Sequence, residues 1–264
     1  LGVVSANPVS VADAVGEDVL ADFVALTKVH GDGWGVAGVD GVRDVPHIRV
    51  SAGSALGDTE FDAAMHDGHS VASLVHLRWA TNGLAVEPQN SHPFLAGGLA
   101  MAHNGSITPM GPLNDLVEPE FAATLRGTTD SERYFAIIRQ HRRTTPTLAE
   151  AARQAVTELR ELHPDASLNA LVLGEGRLVV VHAHARSRLL AADIEEISAT
   201  DLPADHLEDY FALRIARPTE HTVVVGSTGF GDLPWEPLPP ESVIEVSLSD
   251  LTATVLPLMT HLPG

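Results

Sequence analysis

The strongest constraint on this chain is that its short apolar runs come mostly in neighbouring pairs, with longer amphipathic stretches between the groups. Residues Gly2–Ser5, Trp34–Val39, Val71–Trp79, Gly98–His103, Leu168–Leu173, Arg177–His184 and His221–Gly226 read as strands. Val243–Val246 and Leu251–Leu256 form a last hairpin, and Glu175-Gly176 is the expected turn of another. Helical spacing appears in Val11–Thr27, through Val11, Val15, Val19, Phe23 and Leu26, and over the shorter Phe61–Met65. Asp130–His141 is a further helix, with Thr129 or Asp130 at its cap. Leu148–Leu162 is the clearest, because Leu148, Ala152, Ala155, Leu159 and Leu162 make one apolar stripe. Paired strands with helices between the groups predict sheets packed face to face, with helices outside, rather than a doubly wound parallel sheet. No internal repeat or low-complexity linker divides the chain, so a single domain over residues 1–264 is expected, with polar Asp201–His206 as a loop or insertion.

Charge narrows the function classes. Thirty-five acidic against 16 basic residues leave a net charge of −19, a surface that repels phosphate backbones, so no nucleic-acid partner is expected. No apolar run approaches the ~20 residues of a spanning helix, so no membrane partner is expected either. The chain has no cysteine, which removes disulfides and thiolate zinc sites. His182 and His184 share a strand face, but spacing positions no third ligand, so no metal is expected. Gly31, Gly33 and Gly35 lack the following helix of a dinucleotide fingerprint, and no cofactor is expected.

Five segments carry polar groups where predicted strands or helices begin or end: His30–Gly35, His76–Thr81, Asn90–Phe94, Ala102–Gly105 and Thr128–Glu132. Arg78 ends an apolar strand, and its planar fork suits a carboxylate. Asp130 supplies the opposite charge at a helix start. Together they could hold the carboxylate and ammonium of an α-amino acid, or they could pair with each other. Asn104 and the backbone N–H of Gly105 could form an oxyanion hole, and Asn-Gly is equally the commonest hairpin turn.

Taken together, these segments resemble the class-II glutamine amidotransferases of the N-terminal nucleophile hydrolase superfamily, nearest to the small stand-alone bacterial type. The likeness is ordered and runs from Leu1-Gly2 through His30–Gly35, His76–Gly83, Asn90–Phe94, His103–Gly105, Thr129–Glu132 and Leu168-Asn169 to Trp235–Pro237. It implies an α+β fold, a four-layer αββα sandwich of two antiparallel sheets. It implies that Arg78 clamps the α-carboxylate of glutamine, that Asp130 binds its α-ammonium, and that Asn104 and Gly105 form the oxyanion hole. Trp79, Thr81 and Asn82 would line the glutamine pocket under a lid loop at Asn82–Asn90, which His92 supports, and Gly33 and Trp34 would sit close by. The family nucleophile is an N-terminal cysteine whose α-amine moves the proton. This sequence departs from the pattern there, and the cysteine is expected in residues ahead of Leu1. The alternative is an inactive relative that binds an amino acid or a protein partner. The resemblance implies a small-molecule substrate, glutamine or a γ-glutamyl compound, and a cytoplasmic location. Released ammonia would go to water or to a separate ammonia-accepting synthetase, and association into oligomers suits a domain of this size.

Overall fold

Most strands are apolar on both faces, and the alternation of their side chains between those faces builds the architecture of this computed structural model, which describes residues 1–80, 86–200, 202, 205–227 and 231–258. The chain opens with β1 (Gly2–Val9), then α1 (Val11–Val15) and α2 (Glu17–Ala25), and returns through β2 (Trp34–Val39) and β3 (His47–Ser51). Helix α3 (Thr59–His66) precedes β4 (Ser70–Leu77), and β5 (Phe94–Ala96) and β6 (Leu99–Asn104) follow. Helices α4 (Met110–Leu116), α5 (Pro119–Ala122), α6 (Asp130–Arg142) and α7 (Leu148–Leu162) lead into β7 (Asn169–Gly174) and β8 (Arg177–His182). After α8 (Ala191–Ser198) and α9 (Asp205–Glu208) come β9 (Leu213–Thr219), β10 (Thr222–Ser227), β11 (Glu236–Pro237), β12 (Ser242–Ser247) and β13 (Ala253–Pro257).

The strands form two antiparallel sheets, one ordered β11-β9-β10-β1-β4-β2-β3 and the other β13-β12-β8-β7-β6-β5. Val4, Leu74, Val223 and Val225 of the first sheet meet Ala102, Leu171, Val180 and Ile244 of the second in a central apolar layer. Their strand neighbours Val3, Val75 and Val224 face the other way, onto Val15, Leu20, Phe23 and Phe61 of α1–α3. Met101, Val172, Val179 and Val181 likewise face Ile137, Ile138, Ala155 and Leu159 of α6 and α7. Period-two alternation against two partners thus produces four layers, helix–sheet–sheet–helix, as the sequence led us to expect.

The Leu148–Leu162 helix has the bounds read from its stripe, and Thr129 caps α6 through the Glu132 amide. Glu175 and Gly176 both take positive φ, 54° and 71°, as a tight hairpin turn requires. Val11–Thr27 departs from its expectation. Gly16, at φ 88°, breaks it into α1 and α2, so one apolar stripe is carried by two short helices. Strands β3, β5, β9 and β11 escaped the sequence reading because they are short, or at sheet edges, or half-exposed, so they lack the continuous apolar run that marks the buried strands. Among the described residues no helix is long and apolar enough to cross a membrane.

Candidate functional site

At the end of the sandwich where β4, β6 and β10 finish and β7 begins, the two sheets enclose a cavity of about 870 Å³. Leu1, Arg78, Trp79, His92, Asn104, Gly105 and Asp130 all line it. Leu1 continues the β1–β4 ladder, exchanging backbone hydrogen bonds with Val75 at 2.9 and 2.8 Å, so Leu1 is held at the cavity.

Arg78 leaves β4 on a backbone frame supplied by the glycine-rich segment. Its N–H donates to the Gly33 carbonyl at 2.8 Å, and its carbonyl accepts from Asp32 N–H at 2.9 Å. The Asp32 carboxylate accepts from Ala80 N–H at 2.8 Å, and the Arg78 guanidinium donates to the Asp32 carbonyl at 3.4 Å. Gly33 has φ 140°, and a Cβ there would lie 2.8 Å from the Ser51 carbonyl oxygen, so this frame needs glycine. Burial lowers the Arg78 pKa, and the charge of Asp32 opposes that. A buried guanidinium held at its base can meet an anion without a large ordering cost.

Asp130 occupies the first turn of α6, where the helix dipole favours a carboxylate. Its Oδ2 accepts from Ile107 N–H at 2.6 Å, which ties the strand-exit loop to the helix. The same helix start is braced by Glu132, whose carboxylate accepts from Arg126 and Gly127 N–H, both at 2.8 Å. Asn90 accepts from Thr128 N–H at 2.9 Å, joining the Asn90–Phe94 segment to it.

Asn104-Gly105 is not a two-residue hairpin turn. It ends β6 and leads toward α4, and Asn104 pairs in register with Asn169. A Cβ on Gly105 would lie 2.2 Å from the Ser167 carbonyl oxygen and 2.9 Å from His103 Nε2, which leaves room only for glycine. Since a carbonyl only accepts, His103 Nε2–H donates to Ser167 O at 2.8 Å, and Nδ1 of the neutral ring accepts from the Ser131 hydroxyl at 2.8 Å. His103 therefore links the helix start beside Asp130 to the backbone beneath Gly105. The sequence singled out its segment but no role for it.

The remaining sequence candidates divide. Trp79 lines the cavity, with His30 at 5.5 Å and Tyr210 at 6.4 Å between ring centroids. His92 also lines it, bonded through Nδ1 to His76 Nε2 at 3.1 Å. The Trp34 indole is turned away from the cavity, donating to Asp58 at 2.8 Å and packing on Phe61 of α3. Strand alternation puts it on the helix side, which corrects its assignment to the pocket. Gly33 acts one layer back, under Arg78. Thr81, Asn82 and the first part of the expected lid loop, residues 82–85, lie outside the described residues. His182 and His184 do share a face, 2.9 Å apart at Nε2, but His182 Nδ1–H donates to Pro239 O and its Nε2 accepts from Leu213 N–H. Among the described residues no cluster of three or more His, Cys, Asp or Glu could hold a metal ion. Sequence reading missed Tyr210 and Phe211, which reach the cavity from beyond the polar stretch after β8, and His206 of that stretch, whose Nε2 lies 3.2 Å from Nε2 of the lining His30.

Burial dominates three of the buried histidines. It pushes His30 down to about 3, helped by neighbouring His206, and His182 and His206 down to about 4. Unfolding releases these rings to their ordinary pKa near 6.5, so the unfolded chain binds more protons below that pH. Stability is therefore greatest above pH ~6.5 and falls as the pH drops from there toward 4. Melting temperatures measured across pH 8 to 4.5 are expected to be level at first and then decline; a level profile down to pH 5 would contradict the neutral buried rings.

The profile of the family described as glutamine amidotransferases class-II matches residues 9–255. The glutamine–fructose-6-phosphate aminotransferase (isomerizing) of Haemophilus ducreyi is 29% identical over 156 residues, which cover 58% of this chain and 24% of that protein. The protein of the same name from Acinetobacter baylyi is 23% identical over 232 residues, covering 80% of this chain and 38% of the relative. This chain thus spans well under half the length of these relatives. A glutamine aminotransferase class-II domain protein from Silicibacter pomeroyi superposes with a TM-score of 0.65 at 18% identity, covering 98% of this chain and 99% of that one. Glutamine phosphoribosylpyrophosphate amidotransferase from B. subtilis gives 0.66 at 14% identity, over 98% of this chain and 49% of that one. At such identities the structural likeness concerns the fold.

Proposed function

The chain belongs to the class-II glutamine amidotransferases, and from that premise we propose that its cavity binds the glutamyl part of glutamine or of a γ-glutamyl amide and hydrolyses the side-chain amide. The observation that carries this reading is the convergence of Leu1, Arg78, Asn104, Gly105 and Asp130 on one cavity. In the reading, Arg78 takes the α-carboxylate and Asp130 the α-ammonium, two opposite charges for a zwitterion. Asn104 and the Gly105 N–H face the oxygen that becomes negative when the amide carbon turns tetrahedral.

The nucleophile we propose is a cysteine ahead of Leu1, delivered to the cavity by the β1–β4 ladder. Its sulfur forms a bond to the amide carbon, and the thiol proton passes by way of the chain's α-amine to the leaving nitrogen. The C–N bond breaks, and ammonia or an amine departs. Water then attacks the thioester, gives glutamate and returns the proton to sulfur. A cavity of about 870 Å³ lies toward the upper end of the size range of small-molecule sites, which favours γ-glutamyl amides with a leaving amine larger than ammonia.

The test is intact mass of the native protein, with whatever residues precede Leu1, before and after 6-diazo-5-oxo-norleucine. One covalent adduct is expected, blocked by excess glutamine, together with glutamate release from glutamine or γ-glutamyl amides. No adduct and no turnover would discard the hydrolase reading. Saturable glutamate binding in that case would favour the inactive amino-acid-binding relative.

A further inference from the structure

Part of the cavity wall comes from a segment far from the glutamyl-binding groups in sequence. Tyr210 and Phe211 stand just before β9 and pack edge to face, 5.0 Å between centroids. The Tyr210 ring lies parallel to His30 at 6.2 Å and edge-on to Trp79 at 6.4 Å. This wall therefore leans on the residue next to Arg78 and on the segment that frames Arg78. Its backbone is bonded within its own loop, from Ala212 N–H to the Asp209 carbonyl, and also from another strand. Asn169, the first residue of β7, is buried and lines the cavity. Its Nδ2 donates to the Phe211 carbonyl at 2.6 Å, and its Oδ1 accepts from Ala183 N–H at 2.8 Å. The same residue is the register partner of Asn104. One residue thus joins three pieces of chain: its backbone pairs with the strand carrying Asn104, and its amide ties the exit of β8 to the aromatic wall.

We propose that Asn169 is a positioning residue, one that sets the Tyr210-Phe211 wall at the distance from Trp79 and Arg78 at which the leaving amine of the substrate packs. An amide suits the position because it offers one donor and one acceptor, and the two groups it meets are a carbonyl and an N–H. Aspartate keeps the acceptor but turns an oxygen toward the Phe211 carbonyl. Alanine removes both bonds. Two buried backbone groups lose partners in the alanine variant; in the aspartate variant only the Phe211 carbonyl does, but it then faces a buried carboxylate oxygen.

The kinetic half of this inference rests on the γ-glutamyl reading; the structural half does not. Two variants of the full chain, Asn169→Asp and Asn169→Ala, are compared with the parent by amide hydrogen exchange and by KM and kcat for a γ-glutamyl amide. Both are expected to speed exchange in the peptide covering Asp209–Arg214 more than in β7 or β10. Both are expected to raise KM roughly tenfold with kcat changed by less than about threefold, the effect of losing a hydrogen bond felt mainly in binding. Asn169→Ala, which buries no charge, is expected to stay closer to the parent in melting temperature than Asn169→Asp, which sets a buried carboxylate against the Phe211 carbonyl, while the two show the same rise in KM. Such a split separates wall placement from support of the fold. Exchange that rises evenly across the molecule, or KM unchanged in both variants, would overturn the proposal. If the parent turns over no substrate, the γ-glutamyl reading has failed, and selective or even exchange alone decides whether Asn169 holds the wall.

Discussion

Replacing Arg78 by alanine is expected to raise KM for glutamine or a γ-glutamyl amide by about 10²-fold to 10³-fold, with a much smaller change in kcat. The proposed contact is a pair of charge-assisted hydrogen bonds, each worth roughly 1.5–3 kcal/mol, made alike in the ground and transition states. Arg78→Lys keeps the charge but loses the fork, and should fall between alanine and the parent. The side chain is buried at 4% exposure, so a melting curve must accompany the kinetics to separate lost binding from lost fold. Unchanged KM in a folded Arg78→Ala protein would remove Arg78 from the substrate site.

The second large effect belongs to Asn104. Asn104→Ala is expected to lower kcat by about 10²-fold to 10³-fold with little change in KM, the usual consequence of deleting one oxyanion donor. Gly105→Ala tests the same spot by another route. The added methyl would stand 2.2 Å from the Ser167 carbonyl oxygen, a backbone atom that cannot turn aside. The loop must move, so the Gly105 N–H leaves its place and kcat should fall comparably. Equal damage to KM and kcat in Asn104→Ala, or none to either, would place the developing charge elsewhere.

Legibility in the sequence followed how local each determinant is. The α7 stripe could be read to the residue because helical spacing is set within one segment. The Thr129 cap and the Glu175-Gly176 turn were legible for the same reason. Trp34 misled because its neighbours on the strand do not say which face meets the cavity. That depends on α3 bringing Asp58 and Phe61 against one side of the sheet. His103 and Asn169 hid in plain view, since a histidine or asparagine at a strand end has no distinctive spacing. Their significance is in partners 28 and 64 positions away for His103, and 14 and 42 positions away for Asn169.

By itself the sequence determined the layered class of strands and helices, the ends of the regular elements that carry Arg78, Asn104 and Asp130, and the exclusion of disulfides within residues 1–264. These follow from periodicity, capping chemistry and composition, which act over a few residues. Tertiary structure alone decided which of those ends share a cavity, which tautomer His103 holds, and that Tyr210 and Phe211 arrive beside Trp79. Such outcomes depend on how two sheets stack and on the burial of their ends. Packing of that kind sums weak contacts between segments far apart in the chain, and no local pattern encodes it.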